Sequence, residues 1–123
     1  NVNGWLKNAK QVGDYLFVLE LVDAGDMENL KRLGDKLLSK IKSGVGVLFY
    51  TTNEKLSAVV VVTKDLNERG LRAGTLAKKI GGLMGGGGGG KPRLATAGGR
   101  DKQLAKTAIE STRELIHEKL NNL

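Results

Sequence analysis

The residues that could most clearly bind a ligand lie in one basic, glycine-rich segment, residues 81–100. This segment reads GGLMGGGGGGKPRLATAGGR. Its six consecutive glycines carry backbone N–H groups that no side chain obstructs, and such groups can form an anion-binding nest. A second glycine pair, Gly98 and Gly99, leads into a predicted helix whose N-terminus can also hold an anion. The segment therefore predicts contacts with the phosphates of a sugar-phosphate backbone.

Positive charge is concentrated around this segment. Residues 1–63 hold eight Lys or Arg and seven Asp or Glu, whereas residues 64–123 hold twelve and six. Between residues 72 and 106 the only acid is Asp101. A cluster of one sign beside a glycine-rich loop is typical of a surface that faces phosphate. The predicted RNA-binding residues are Arg72, Lys78, Lys79, Gly85, Gly86, Gly87, Gly88, Gly89, Gly90, Lys91, Arg93, Gly98, Gly99, Arg100, Lys102 and Lys106.

Two nucleotide-binding motifs match only superficially. Gly85 to Lys91 satisfies the first seven positions of G-x-x-x-x-G-K-[ST], but Pro92 stands where a hydroxyl must hold Mg²⁺. That motif also joins a strand to a helix, whereas here a predicted helix precedes the glycines. The pattern G-x-G-x-x-G fits any run of six glycines and carries no information. The sequence therefore argues against nucleotide hydrolysis.

Other chemistry is sparse. The chain has no cysteine and a single histidine, His117, which is predicted on the outward side of the last helix. No cluster of metal-ligating residues and no nucleophile–base pair is apparent, so we expect no catalytic residue, metal or cofactor in this chain. No apolar run approaches the roughly 20 residues that span a bilayer, so we expect no membrane partner.

The positions of the aromatic residues indicate which class of nucleic acid the segment could bind. All five lie in the first fifty residues, and the basic half of the chain has none. Proteins that bind single-stranded nucleic acid usually stack bases on aromatic side chains. A basic, glycine-rich surface without aromatic residues instead favours recognition of a folded RNA by its shape and backbone.

Hydrophobic patterns predict the elements that position this surface. Residues 14–23 are apolar on both faces and predict a strand, and residues 27–42 have helical periodicity with Asp26 as N-cap. Residues 45–51 and 57–63 predict two strands joined by a short turn, which is typical of an antiparallel hairpin. The first strand, the helix and the second strand form a right-handed β-α-β unit, so the predicted sheet is mixed.

A helix is predicted after Lys64 with an apolar face that ends at Gly81 and Gly82, and Asp101 is placed to cap a last helix. The glycine segment between these helices is predicted as an ordered loop, because each helix needs the sheet to bury its apolar face. The predicted fold class is α/β (α+β-like), with one mixed-sheet domain over 14–123. Residues 1–13 are predicted as the end of an upstream linker or helix.

The segment GGLMGGGGGGKPRLATAGG resembles the C-terminal signature of bacterial-type alanyl-tRNA synthetases, a glycine run followed by Lys-Pro and a later glycine pair. The upstream text from LKRLGDKLL to LRAGTLAKKI is similar to the same domain in order and spacing, and the resemblance covers about residues 14–120. It implies a DHH-associated domain that contacts the elbow of tRNA and links aminoacylation with editing.

The same resemblance implies the wider setting. The parent enzyme would be a cytoplasmic alanine-tRNA ligase that uses ATP, Mg²⁺ and Zn²⁺ in other domains, so tRNA and those domains are the expected partners. A helical segment that precedes this domain in the family often mediates self-association, and this chain contains almost none of it.

Two alternatives remain open. The domain also occurs as the substrate-binding domain of DHH-family phosphoesterases, where the glycine segment typically ends in histidine; Lys91 and Pro92 here favour the synthetase. A structural interaction domain, with a basic surface that serves only solubility, is the third interpretation.

Overall fold

A computed structural model describes residues 1–123. One six-stranded mixed sheet, in the order β1-β2-β3-β4-β6-β5, is covered by helices on both faces. The elements are α1 Val2–Lys7, β1 Lys10–Val12, β2 Tyr15–Leu21, α2 Met27–Lys40, β3 Gly44–Thr51, β4 Leu56–Val62, α3 Lys64–Glu68, α4 Ala73–Leu83, β5 Gly87–Gly90, β6 Leu94–Gly99 and α5 Ala105–Asn121, with a 3₁₀ turn at Lys102–Leu104. No helix combines the length and the apolar character that crossing a membrane requires.

The predicted β-α-β unit and hairpin are confirmed. β2 and β3 pair in parallel with α2 as the crossover, and β3 and β4 pair antiparallel. Asp26 caps α2, because its Oδ1 accepts a hydrogen bond from the Asn29 N–H at 2.7 Å. α2 ends at Lys40 instead of residue 42, and Gly44 already belongs to β3.

Two hydrophobic layers sandwich the sheet. Side chains alternate along β4 with a period of two, so Val59 and Val61 pack under α2 while Val60 and Val62 join the layer beneath α4 and α5. Leu30 and Leu37 fill the α2 layer, which α1 also covers. The opposite layer contains Leu76, Ile80 and Met84 of the α4 region and Ala108, Ile116 and Leu120 of α5.

The glycine segment is not a loop between two helices. Residues Gly87–Gly90 form the edge strand β5, which pairs antiparallel with β6, and β6 continues the sheet beside β4. The helical region after Lys64 is two helices, and Gly70 between them has a φ of +94°. That φ lies in the left-handed region, which glycine adopts without strain.

The first thirteen residues also contribute to the sheet. α1 is capped by Asn1, and β1 pairs antiparallel with β2 in the register Lys10 to Phe17. The predicted boundary at residue 14 therefore falls between two strands of one hairpin. Val2 and Val12 are both buried, so this segment packs on the domain as part of it.

Candidate nucleic-acid interface

Helix α4 lies directly on the glycine strand, backbone against backbone. A Cβ atom added to Gly88 would lie closer than 3.0 Å to the carbonyl of Ala77 in α4. A Cβ on Gly81 would meet the backbone of Gly87, and one on Gly74 would meet Gly90. Glycines on both elements therefore allow a contact that no other residue type permits here, and they fix the hairpin to the helix.

The six glycines of residues 85–90 are not equivalent. Gly86 and Gly90 would clash with the backbone of β6, like Gly88 with α4, and Gly85 has a φ of +74°. A Cβ on Gly87 or Gly89, by contrast, would have no neighbour within 4 Å. This alternation follows the two-residue period of a strand. Gly87 and Gly89 thus form bare backbone on the open face of the hairpin.

The turn of this hairpin is held by α4. The Lys91 N–H donates to the carbonyl of Leu94 at 3.0 Å, while the first N–H groups of α4, at Ala73 and Gly74, donate to the carbonyls of Pro92 and Lys91 at 2.8 and 3.1 Å. These bonds satisfy donors that a helix N-terminus leaves free. The fixed turn leaves the side chains of Lys91 and Arg93 exposed to solvent.

Two basic grooves meet beside this turn. One, of about 500 Å³, runs between α4 and β5 and contains no acid; it is lined by Arg72, Gly74, Thr75, Lys78, Gly88, Gly89, Gly90 and Pro92. The second, of about 580 Å³, is lined by Lys64, Asn67, Glu68, Arg72, Lys91, Pro92 and Arg93. Arg72 lines both grooves, so one guanidinium group connects the cations of α4 with those of the turn.

A third groove, of about 410 Å³, lies at the opposite end of the hairpin. It is lined by Lys55, Leu56, Ser57, Gly85, Gly86, Gly98, Gly99 and Arg100. The register Gly87 to Gly98 places Lys91 and Arg100 at opposite ends of β5 and β6. At about 3.3 Å per residue, roughly 20 Å separates the two ends. The predicted residues that line these three grooves therefore lie along one basic strip and do not converge on a single point.

Three predicted cations lie outside these grooves. Lys79 faces α5, and Lys102 and Lys106 are exposed at the start of the last helix without lining any of the three. At that helix, Asp101 Oδ1 accepts a hydrogen bond from the Gln103 N–H at 2.9 Å. The carboxylate of Asp101 thus takes up one of the N–H donors that an anion would use.

The sequence pattern missed four cations that the fold brings close to the predicted ones. Lys55 lies before β4, Lys64 begins α3, Arg69 follows α3, and Lys119 is in the last turn of α5. All four lie outside residues 72–106, where the charge is clustered in sequence. Only the order of strands and the packing of α4 against α5 bring them close, so local spacing could not reveal them.

Comparison with known proteins identifies the class to which this architecture belongs. The family model described as the DHHA1 domain matches residues 13–119. The chain therefore belongs to the DHHA1 domain family. A structure described as a DHH domain from a member of the s1p family of ribosomal proteins covers 94% of this chain and 29% of its own, with a TM-score of 0.60 and 12% identity, which shows the fold alone.

Within that family, the resemblance to the alanyl-tRNA synthetases is confirmed. The chain is 38% identical over 116 residues to the alanine-tRNA ligase of Alkaliphilus oremlandii, and this alignment covers 94% of the chain but 13% of the ligase. It is similar to the crystal structure of the C-Ala domain from Aquifex aeolicus alanyl-tRNA synthetase, with a TM-score of 0.78, 25% identity and coverage of 89% of this chain and 97% of that one.

Proposed function

We propose that this chain binds folded tRNA as the C-terminal part of a cytoplasmic alanine-tRNA ligase. The observation that carries the proposal is the pair of grooves that share Arg72. Their lining also includes the cations Lys64, Lys78, Lys91 and Arg93, and its only acid is Glu68. Neutralised phosphates release counterions, and this term supplies much of the affinity of a protein for nucleic acid. A strip of this charge and length fits a sugar-phosphate backbone.

The form of the RNA follows from the lining of the grooves. None of the three grooves along the hairpin contains an aromatic residue, and Phe17, Phe49 and Tyr50 are buried in the two hydrophobic layers. Without a stacking platform, the surface favours a rigid, folded RNA that presents phosphates at fixed positions. We expect folded tRNA to bind at least about tenfold more tightly than an unstructured RNA of equal length at one salt concentration. Equal affinity would refute recognition by shape.

The site itself is tested by a matched pair of double variants. Lys78→Gln with Lys91→Gln removes two charges from the grooves, and Lys36→Gln with Lys40→Gln removes two exposed charges from α2, on the opposite face of the sheet. Filter binding of tRNA over a salt series should show at least about tenfold weaker binding for the first pair. Its salt slope should fall by about 0.7–0.9 for each phosphate that the variant no longer neutralises.

The control pair should change affinity less than about threefold, because general attraction to a net positive charge is its only contribution. If both pairs weakened binding equally, binding would be a diffuse response to net charge and the proposed site would be wrong. Circular dichroism of each variant checks that the domain is folded, which we expect since all four residues are exposed.

The link between aminoacylation and editing is tested in a full-length ligase that contains this domain. If this domain holds the elbow of the tRNA during both reactions, the loss of its contacts should weaken tRNA binding in both. The Lys78→Gln and Lys91→Gln variant should therefore raise the KM for tRNA in aminoacylation and in editing by the same factor. The kcat of each should be unchanged, because this domain contributes no reacting group. A change in one activity alone would argue against a shared anchoring role.

A further inference from the structure

A fourth basic groove lies between α4 and α5, away from the glycine strand. Its cations come from three places: Arg69 and Arg72 from the connection between α3 and α4, Lys79 from α4, and Lys119 from α5. The groove has a volume of about 270 Å³, and no Asp or Glu lines it. Arg69, Lys79 and Lys119 line none of the three grooves along the hairpin, although the sequence already predicts Lys79 as an RNA-binding residue.

Two of these cations influence each other across the groove. Lys79 and Lys119 both line it, and the proximity of the Lys119 ammonium group, with repulsion between the two charges, lowers the pKa of Lys79. Glu118 opposes this effect only weakly, as the smallest contribution. Like charges at this separation destabilise each other, whereas a phosphate between them would accept hydrogen bonds from both.

The groove is continuous with the strip along the hairpin. Arg72 lines it as well as the two grooves beside the turn, so a polyanion in the acid-free groove between α4 and β5 passes Arg72 and reaches Lys79. Arginine can bridge two phosphate oxygens through its planar group, which suits a junction between neighbouring phosphates.

We propose that Lys79 and Lys119, with Arg69 and Arg72, bind a second backbone phosphate of the same RNA, and that α5 is therefore part of the interface. This inference rests on the proposed function and adds a second point of attachment on the helical side of the domain. A point of attachment on the helical side, added to the strip along the hairpin, would fix the orientation of the RNA about the axis of that strip.

The first test measures the affinity of the whole chain for tRNA. Lys79→Gln with Lys119→Gln should weaken binding about fivefold and lower the salt slope by about 0.7–0.9 for each phosphate that is no longer neutralised. The control is again Lys36→Gln with Lys40→Gln, which removes the same charge from exposed positions of α2. Equal affinity of the two double variants would overturn the inference.

The second test identifies the ligand. Inorganic phosphate, titrated into the ¹³C-labelled chain, should shift the side-chain resonances of Lys79 and Lys119 together and raise the pKa of Lys79. Lys119→Gln should abolish the shift at Lys79. Absence of any shift in the wild-type chain would overturn the inference, and so would displacement of tRNA by a polyglutamate peptide at equal charge concentration, which would assign the groove to an acidic protein.

These results separate two failures. If the Lys78 and Lys91 variant fails to bind tRNA while the Lys79 and Lys119 variant binds it normally, the proposed function stands and the second phosphate site is wrong. If the wild-type chain does not bind tRNA, the proposed function fails, and the second site falls with it even where free phosphate still binds.

Discussion

The two faces of the sheet are built differently. On the α2 face, leucines and valines form an ordinary layer of interlocking side chains, and the surface of α2 mixes Glu28 and Asp35 with four cations, one of which pairs with Glu28 at 3.9 Å. On the other face α4 contains two lysines and no acid, and at its outer edge its backbone lies directly against the backbone of β5. The α2 face is packed by side chains, whereas glycines at the α4–β5 contact allow two backbones to meet.

This difference separates two roles that glycine plays in one small domain. At Gly34 in α2 the nearest atoms to an added Cβ are the two methyl groups of Val59, which belong to a side chain and would have to shift. At Gly81 in α4 the nearest atoms are backbone, which cannot shift in the same way. Glycine in α2 improves the fit of side chains, whereas glycine at the contact between α4 and β5 determines where a strand lies. The following expectations test that distinction, beginning with the largest.

The largest effect is expected where a side chain would separate α4 from β5. Gly88→Ala places a Cβ against the carbonyl of Ala77 and should reduce the free energy of unfolding by about 3 kcal/mol, the upper range for overpacking. Gly34→Ala should change it by less than about 1 kcal/mol, since the gain in helix propensity offsets the shift of Val59. Urea unfolding measures both values. Equal costs would erase the contrast between the two faces.

The second expectation concerns the open face of the hairpin. Gly87→Val with Gly89→Val adds side chains whose Cβ positions have no atom within 4 Å, so the domain should remain folded and keep its Tm within a few degrees. The same variant should bind tRNA about tenfold more weakly, because the added side chains keep the RNA backbone from bare peptide groups. Unchanged affinity in the folded variant would show that β5 serves only as a structural edge.

A smaller effect should distinguish the two ends of the hairpin. Arg100 lines the groove at the far end, where Lys55 is its only cationic neighbour, whereas Lys91 lies beside the turn with Lys64, Arg72 and Arg93. Arg100→Gln should weaken tRNA binding about threefold, and Lys91→Gln by more. The reverse ranking in filter binding would move the centre of the interface to the Arg100 end.

The smallest expected effect is on stability at the start of α3. Burial raises the pKa of Asp65, but hydrogen bonds from the side chains of Ser43 and Thr63 and from backbone N–H groups outweigh it and lower the pKa below its usual value. A lowered folded-state pKa stabilises the protein above the unfolded-state pKa, and this contribution is lost as the pH falls through the folded value. Asp65→Asn should therefore lower Tm slightly at neutral pH and leave it unchanged in strong acid.

Ser43→Ala supplies the control for that measurement. It removes the hydroxyl that donates to Asp65, so it should reproduce part of the destabilisation at neutral pH, and the double variant should be destabilised by less than the sum of the two. Strict additivity would show that the two side chains do not interact in the folded domain.

Elements whose side chains form a clear hydrophobic pattern could be predicted from the sequence, and elements without one could not. The β-α-β unit and the β3–β4 hairpin could be predicted because Val, Leu and Phe fill those strands and α2 has a clear apolar stripe. β5 could not, since glycine has almost no preference for strands and leaves no alternation to detect. β1 has only three residues, two of them exposed and polar. Their strand character comes from pairing with a neighbour, which no local pattern contains.

The candidate site was predictable to a similar degree. Residues between 72 and 106 stood out because charge and glycine coincide there in the sequence, and the fold places Arg72, Lys78, Lys91 and Arg93 around one turn. Lys64 joins these residues, and Arg69 and Lys119 line the neighbouring groove, only through the packing of three helices. A cluster that forms only by tertiary packing cannot be recognised from the spacing of residues along the chain. The sequence alone therefore located the cations around the turn and missed those that the helices bring beside them.

The strand order has a consequence for how this domain folds. β3 and β4 form a local hairpin and β2 reaches β3 across α2 alone, whereas β6 joins β4 by matching Leu94 to Val61 and Gly99 to Leu56, across α3, α4 and β5. Closing such long loops is slow, and glycine loses the most chain entropy when it is ordered. The β5–β6 hairpin should therefore form after the rest of the sheet and open first, so its amide protons should exchange with solvent before those of β3.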